Sequence, residues 1–571
     1  MEEGIRTVAF RSPVLKIKRI IATAALVGAG TLGTYVYGVA NYRHVALPAG
    51  NIAVPHERTG PWNRESPFAR EVQRLWSEKP LADWESKGKD DVPRVALARL
   101  LTRDRLPEVN RYLRGLQPRG VAGTKWALNQ NGDYDFSVTV LTTILWRFGE
   151  DAAVLYPETC EHLLRVLLTE DGGAFRTAAP RTLGLVKETE NHILMTEGSR
   201  YLKNRWLRAH GDLAPRHDNA ANGLEAKLLA FLAGLNAGGL HEFNSQPYIA
   251  YTLTALLNLE AFASDAVRAA ARDTLDYLNW CYALGSFRLR HYPPFRRSYG
   301  YASAPSLTFG YQTVFMNAWL SYAPGRPAPP EVPGHTGTHA IIATSLPYRP
   351  PDAAVRLLSD KGAGYFVQLG HGPGACPEIY AAGPQFLLSA GGVHRGSASM
   401  IAARPTTLLL DDAATELAEV FHLSGPGKDF RGWNNTGVHE NFACAAGPVH
   451  APARLTALRE SGRWRIYAPG PGLLVAIYST PTLGLLAVFP HSAPDDLLSS
   501  LLAANPAETA LSREFVFPGG RKLTYDLGSK PSCWVMVSDS GKALDRDFDH
   551  WPRMGGRFPE RSLPPVKNFS P

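Results

Sequence analysis

Ala323-Pro-Gly-Arg-Pro-Ala-Pro-Pro-Glu-Val-Pro-Gly334 divides this chain of 571 residues into two kinds of pattern. Proline has a fixed φ and no N–H, so its density here excludes a helix interior or a central strand and leaves an extended linker over 323–334. On the N-terminal side apolar residues recur at spacings of three and four. Phe136, Val140, Leu141, Ile144, Leu145 and Phe148 share one helical face, with Asp133 or Asp135 placed to cap its start. Similar faces run through His162 to Leu168, Ile193 to Leu207, Leu224 to Leu235, Tyr251 to Phe262 and Ala266 to Leu284. Glycine-bearing loops such as Gly172-Gly173 and Gly238-Gly239 separate them at the intervals of stacked helix pairs. On the C-terminal side the apolar runs shorten. Gly364 to Leu369, Pro384 to Ser389, Thr406 to Leu410, Trp464 to Tyr467, Leu473 to Tyr478 and Leu483 to Phe489 read as strands between Gly, Pro, Asp and Ser. The expectation is a multidomain chain, α then β, with helices over 68–322 and a large antiparallel β-sandwich over 335–571.

The N-terminus carries a second expectation. Arg6, Arg11, Lys16, Lys18 and Arg19 precede an uncharged run over 20–42. As a helix, that run would span about 34 Å at about 1.5 Å per residue, enough for a bilayer. The positive charges place 1–19 in the cytoplasm, with 43–67 as connector and the bulk of the chain outside a single-pass anchor. Small residues at Gly38-Val-Ala40 keep open a cleaved signal and a secreted or periplasmic product. Gly28-Ala-Gly30-Thr-Leu-Gly33 spells a dinucleotide fingerprint, but no strand precedes it and no ribose-binding acid follows.

Composition narrows the partners. Lys and Arg outnumber Asp and Glu by 60 to 52, a formal net charge of +8, yet the basic residues are scattered rather than striped. Nucleic acid is therefore not an expected partner. Cys160, Cys281, Cys376, Cys444 and Cys533 form no zinc pattern; most suit small buried positions, with one bridged pair left open in an oxidising compartment. His335-Thr-Gly-Thr-His339 has metal-ligand spacing, but its glycine and the prolines before it argue against the necessary helix. No metal and no cofactor are expected. A GxSxG elbow and a P-loop are both missing from the sequence.

Two polar stretches stand out in the helical half: Glu188-Thr-Glu-Asn-His-Ile-Leu-Met195 and Gly239-Leu-His-Glu-Phe-Asn-Ser-Gln-Pro-Tyr248. With Tyr251 and Arg296-Arg297 they supply an amide, two imidazoles, phenols and guanidinium groups. These residues, within the order of export segment, helices, Pro-rich connector and β-region, resemble the polysaccharide lyases of the chondroitin AC lyase, alginate lyase and heparinase II/III type. The resemblance covers roughly Asp133 to Pro490. It implies an (α/α) toroid followed by a β-sandwich, an acidic polysaccharide as partner, and Asn, His, Tyr and Arg converging in a cleft.

The chemistry suits those side chains. Elimination from a uronic acid removes the C5 proton, which requires the neighbouring carboxylate to be hydrogen-bonded or neutralised. Asn191 is the candidate donor, helped by Arg296 or Arg297. His192 or His241, with ordinary values of about 6.5, is the candidate base. Tyr248, ordinarily near 10, serves instead if positive charge stabilises its phenolate, and Tyr251 is the competing phenol. Glu190, Asn244, Tyr251, Arg296, His394 and His439 are the expected substrate contacts, the last two from loops of the β-region. Each also has a plainer role as helix cap, packed ring or turn closer. Two further functions compete: a glycoside hydrolase using two of Glu188, Glu190, Asp218 and Glu242, and a non-catalytic glycan-binding envelope protein.

Overall fold

A computed structural model describes residues 20–30, 45–51, 53–81, 92–118, 134–179, 187–297, 299–324, 338–395, 399–425, 433–490 and 493–559. Residues 20–30 are helical, with Ile20, Ile21, Leu26 and Val27 exposed. Much of the expected membrane run, and most of the Pro-rich linker, lie outside the described residues. Among those described, no helix is long and apolar enough to cross a membrane.

The N-terminal half is helical: α1 (Pro67–Ser77), α2 (Val92–Thr102), α3 (Leu106–Gly115), α4 (Asp135–Phe148), α5 (Pro157–His162), α6 (Glu190–Ala209), α7 (Leu224–Gly238), α8 (Tyr248–Phe262), α9 (Asp265–Gly285) and α10 (Tyr311–Leu320). The face read from Phe136 to Phe148 is buried throughout. Helix α8 is the hub. Every residue from Ile249 to Glu260 is buried, and α4, α6, α9, α10 and α11 (Thr338–Ser345) pack around it.

The helices do not stop at the linker. Helix α11 and α12 (Asp352–Leu357) follow it, so strands dominate only from Tyr365 onward. His339, expected outside a helix, lies in the first turn of α11, wholly buried among Tyr251, Tyr311 and Phe315. All five cysteines are free, which removes the bridged pair.

The C-terminal half is built of antiparallel sheets. A seven-stranded sheet runs in the order Val449–His450, Phe421–Leu423, Thr406–Leu410, Phe386–Gly391, Glu378–Gly383, Tyr365–Leu369, Gly555–Arg557. Side chains alternate along a strand, and here both faces are buried. Tyr365, Val367, Tyr380, Leu387 and Leu409 join the helical core. Phe366, Ile379, Leu388, Leu408 and Leu410 join a second core shared with a six-stranded sheet through Phe442, Ile466, Val475 and Leu486. That double burial explains why Leu408-Leu-Leu410 is apolar at successive positions rather than alternating, and why Thr406 and Thr407 before it are buried too. A four-stranded sheet (Glu514–Val516, Lys522–Tyr525, Met536–Asp539, Lys542–Ala543) and α13 (Pro494–Ala504) extend the second core.

Polar groups fasten the helices to the sheet. Lys361 is buried and its Nζ donates to the carbonyls of Ala283 at 3.1 Å, Leu357 at 2.6 Å and Ser286. Tyr365 donates to Leu284 O at 2.6 Å. A short ribbon also crosses between the halves: Phe295–Arg296 pairs antiparallel with Ile401–Ala402, in the register Phe295 to Ala402 and Arg296 to Ile401.

Candidate functional site

Three helix starts meet in the helical half. Asp135 opens α4, Glu190, Asn191 and His192 form the first turn of α6, and Tyr248 opens α8. The three helices pack on one another. Their unpaired N–H groups and aligned dipoles favour negative charge at this end.

Asp135 does not cap its helix; the capping position is Tyr134, without a side-chain bond. The Asp135 carboxylate instead takes His192 Nδ1, with Glu188 3.8 Å from the same nitrogen. Burial opposes charge on that ring, but the two carboxylates outweigh it and raise His192 to about 9. His192 is therefore an imidazolium near neutrality. In that state the ring donates to Asp135 and carries charge.

Asn191 is wholly buried. Thr189 Oγ1 donates to its Oδ1 at 3.0 Å, and its Nδ2 donates to Glu242 Oε2 at 2.7 Å. Arg297 Nη1 pairs with Glu242 Oε1. Glu190 Oε1 accepts from the backbone N–H of Glu242 at 2.7 Å. The amide and one carboxylate thus hold a second carboxylate, which in turn aims a guanidinium. Asn191 has no solvent-facing surface, so it acts on a ligand only through Glu242 and Arg297.

Arg297 is the more accessible partner, its side chain 23% exposed, and its guanidinium lies 4.1 Å above the ring of Tyr248. The ribbon delivers it: Arg297 N donates to Met400 O at 2.6 Å, and Arg296 Nε donates to Ser399 O at 2.8 Å. At φ 96° the Arg297 backbone lies in the region that favours glycine, a local strain held by these bonds. Its neighbour Arg296 donates from Nη1 to His241 Nδ1 at 3.0 Å. Arginine only donates, so the Nδ1 lone pair is taken and the neutral His241 ring keeps its proton on Nε2. In that tautomer His241 offers its Nε2–H as a donor.

The phenols separate cleanly. Tyr248 is half-buried beneath Arg297. Tyr251 is 2% exposed, with its ring edge-on to Phe136 at 4.2 Å and to His339 at 5.5 Å, which makes it core and corrects its place among substrate contacts.

Asn244 donates to Pro294 O at 3.2 Å and bonds the buried Glu378, which also holds His371 at 2.7 Å; these bonds brace the loop before α8. His439 belongs to the β-half. It is buried, 3.1 Å from Asp539 and edge-on to Phe366 and Trp534, away from the convergence. His394 is half-buried beside Arg395, whose guanidinium is bonded to Asp549 at 2.6 and 3.0 Å. Asp218 pairs with Arg208 near the C-terminal end of α6, about 27 Å along the axis from Glu190 at about 1.5 Å per residue, too far to share a sugar with Glu190 or Glu242.

Sequence reasoning offered Asp135 only as a helix cap and Glu242 only as a hydrolase carboxylate; the pairing of Asp135 with His192 and of Glu242 with Asn191 and Arg297 spans 50 or more positions and left no local signal. Among the described residues no group of three or more His, Cys, Asp or Glu is placed to hold a metal ion. Comparison with family models, curated proteins and solved structures gives no match.

Proposed function

We propose that the chain is a polysaccharide lyase-like enzyme that cleaves a uronic-acid glycan by β-elimination. In this reading the helical half is an (α/α) toroid, the sheets after it are a β-sandwich, and Tyr248 carries the proton. The observation that supports it most is Arg297 lying 4.1 Å over Tyr248 while gripped by Glu242.

The substrate carboxylate lies against Arg297, with the three helix starts adding positive potential. This lowers the cost of enolate character at C5. Both imidazoles are donors, and Tyr251 is sealed in the core, so Tyr248 is the group left to take the C5 proton. Arg297 sets positive charge against the phenol where a phenolate forms. The C5–H electrons become the C4=C5 double bond, the C4–O bond breaks, and Tyr248 or the His241 Nε2–H protonates the departing O4. Asn191, Glu190 and Glu242 are positioning residues for Arg297.

The test is a panel of uronic-acid polysaccharides followed by ultraviolet absorbance of the unsaturated product. Wild type should generate that signal and Tyr248→Phe should lose it at an unchanged melting temperature. New reducing ends without absorbance would indicate hydrolysis, and binding without either product would indicate a glycan-binding protein.

A further inference from the structure

The segment over 170–178 crosses α6 as a strap. None of its residues is buried, yet the helix face beneath it is, and that face is polar. Glu197, Arg200, Lys203 and Asn204 are 0%, 1%, 5% and 0% exposed. Their spacing puts Glu197, Arg200 and Asn204 on one stripe, where a helix ordinarily buries apolar side chains.

Hydrogen bonds and ion pairs hold the strap down. Asn204 Oδ1 accepts from the Gly172 N–H at 3.0 Å, and its Nδ2 donates to Gly172 O at 3.1 Å. Lys203 Nζ donates to Leu168 O at 2.7 Å, and Arg200 Nη2 pairs with Glu170 Oε2 at 2.9 Å. Phe175 adds a ring contact with Phe231 at 5.9 Å.

Glu197 is the least satisfied member. Its Oε1 accepts from Arg200 Nη2 at 3.3 Å, while its Oε2, 3.3 Å from Arg200 Nε, has no hydrogen bond. Arg200 is shared with Glu170. The charged groups facing Glu197 are Arg200 on its own helix and Glu170 and Arg176 on the strap, while α8 meets the adjoining Gly198 with the apolar Leu259. Burial pushes the carboxyl up from an ordinary 4.5 to about 7; both arginines oppose the rise and Glu170 adds to it.

The far end of the strap reaches the candidate site. Thr177 O accepts the Glu188 N–H at 2.9 Å, and Ala178 pairs with Lys187. Glu188 is the second carboxylate beside His192, 3.8 Å from its Nδ1.

We propose that the strap is a pH-governed latch, closed over α6 while Glu197 is protonated and opening more readily once Glu197 is ionised, which loosens Glu188 beside His192. Lifting the strap hydrates Glu197 and returns it to its ordinary value. The closed form therefore keeps its proton up to about pH 7 and the open form releases it from about 4.5, so opening gains as pH rises through that window and levels above it. Nothing in this latch depends on elimination chemistry, because its readout is the motion of the strap.

Hydrogen–deuterium exchange of the whole chain from pH 5 to pH 8, corrected for the intrinsic rate of each amide, tests it. In wild type the opening of peptides over 170–178 should rise about tenfold per unit up to about pH 7 and then level, while peptides from α8 keep one value. Glu197→Gln, neutral throughout, should hold the strap at its acid value at every pH. Glu170→Gln, at a partly exposed position, should move the levelling point to lower pH, because it removes a like charge and leaves Arg200 to Glu197. A flat wild-type profile, a slope that survives in Glu197→Gln, an unmoved levelling point in Glu170→Gln, or α8 opening in step with the strap would each overturn it.

Discussion

His192 shows how a single neighbour decides a role. Beside Asp135 and Glu188 its folded value of about 9 stands above the ordinary 6.5. A raised value means that the stabilisation is fully present below about pH 6.5 and disappears as pH climbs through about 9. It amounts to about 3 kcal/mol at most, from the size of that shift. Urea unfolding across this window should show wild type losing stability while Asp135→Asn stays nearly flat; parallel curves would remove the pairing. Arg297 gives a second prediction at this scale. Its φ of 96° costs alanine about as much as arginine but glycine nothing, so Arg297→Gly should be about 1 kcal/mol more stable than Arg297→Ala, with both inactive. Equal melting of the two variants would contradict the strain. The residue types of the site were legible in the sequence because Asn191, His192, His241, Tyr248 and Arg297 stand in two short polar stretches and one basic pair. Their roles were not. Proton placement on His241 depends on Arg296, 55 positions away, and no local pattern carries that.

The helices were the most legible elements. The Phe136 to Phe148 face and the long apolar stretch of α8 follow directly from spacing, since helix burial is periodic. Helix α11 was missed because prolines and glycine stand just before it, and only packing around α8 completes it. The ribbon was illegible for another reason: two-residue strands leave no periodic trace. Yet it carries Arg296 and Arg297. Ala402 is 1% exposed against Phe295 and Ala302, so Ala402→Glu should push a carboxylate into that seat and dislodge the ribbon. Turnover should fall about 100-fold, the loss typical of misplaced positioning groups, while far-ultraviolet circular dichroism keeps its helical signal. Full activity in that variant would free the arginines from the ribbon.

Across the whole molecule, the sequence announced helices before strands but not the layer that unites them. Runs such as Leu408-Leu-Leu410 were read as strands of a sandwich; that one face of their sheet serves the helices emerges only from tertiary contacts. Lys361 marks this seam. Replacing it with methionine keeps the stem but strips the ammonium from the carbonyls of Ala283, Ser286 and Leu357, at a cost of about 3 kcal/mol. A two-probe unfolding experiment should report this as a loss common to both halves. Separate transitions would mean that the seam is weak.

The sheet buried on both faces also bears on synthesis. The helical half leaves the ribosome first, and its broad apolar flank stays bare until the strands from Tyr365 to Arg557 have followed. At about 5–20 residues per second that wait lasts roughly 10–40 s. A nascent chain exposing so much oily surface for so long is a natural client for holding chaperones, and a stalled or prematurely terminated product ending near Leu357 should precipitate rather than persist as a free helical domain.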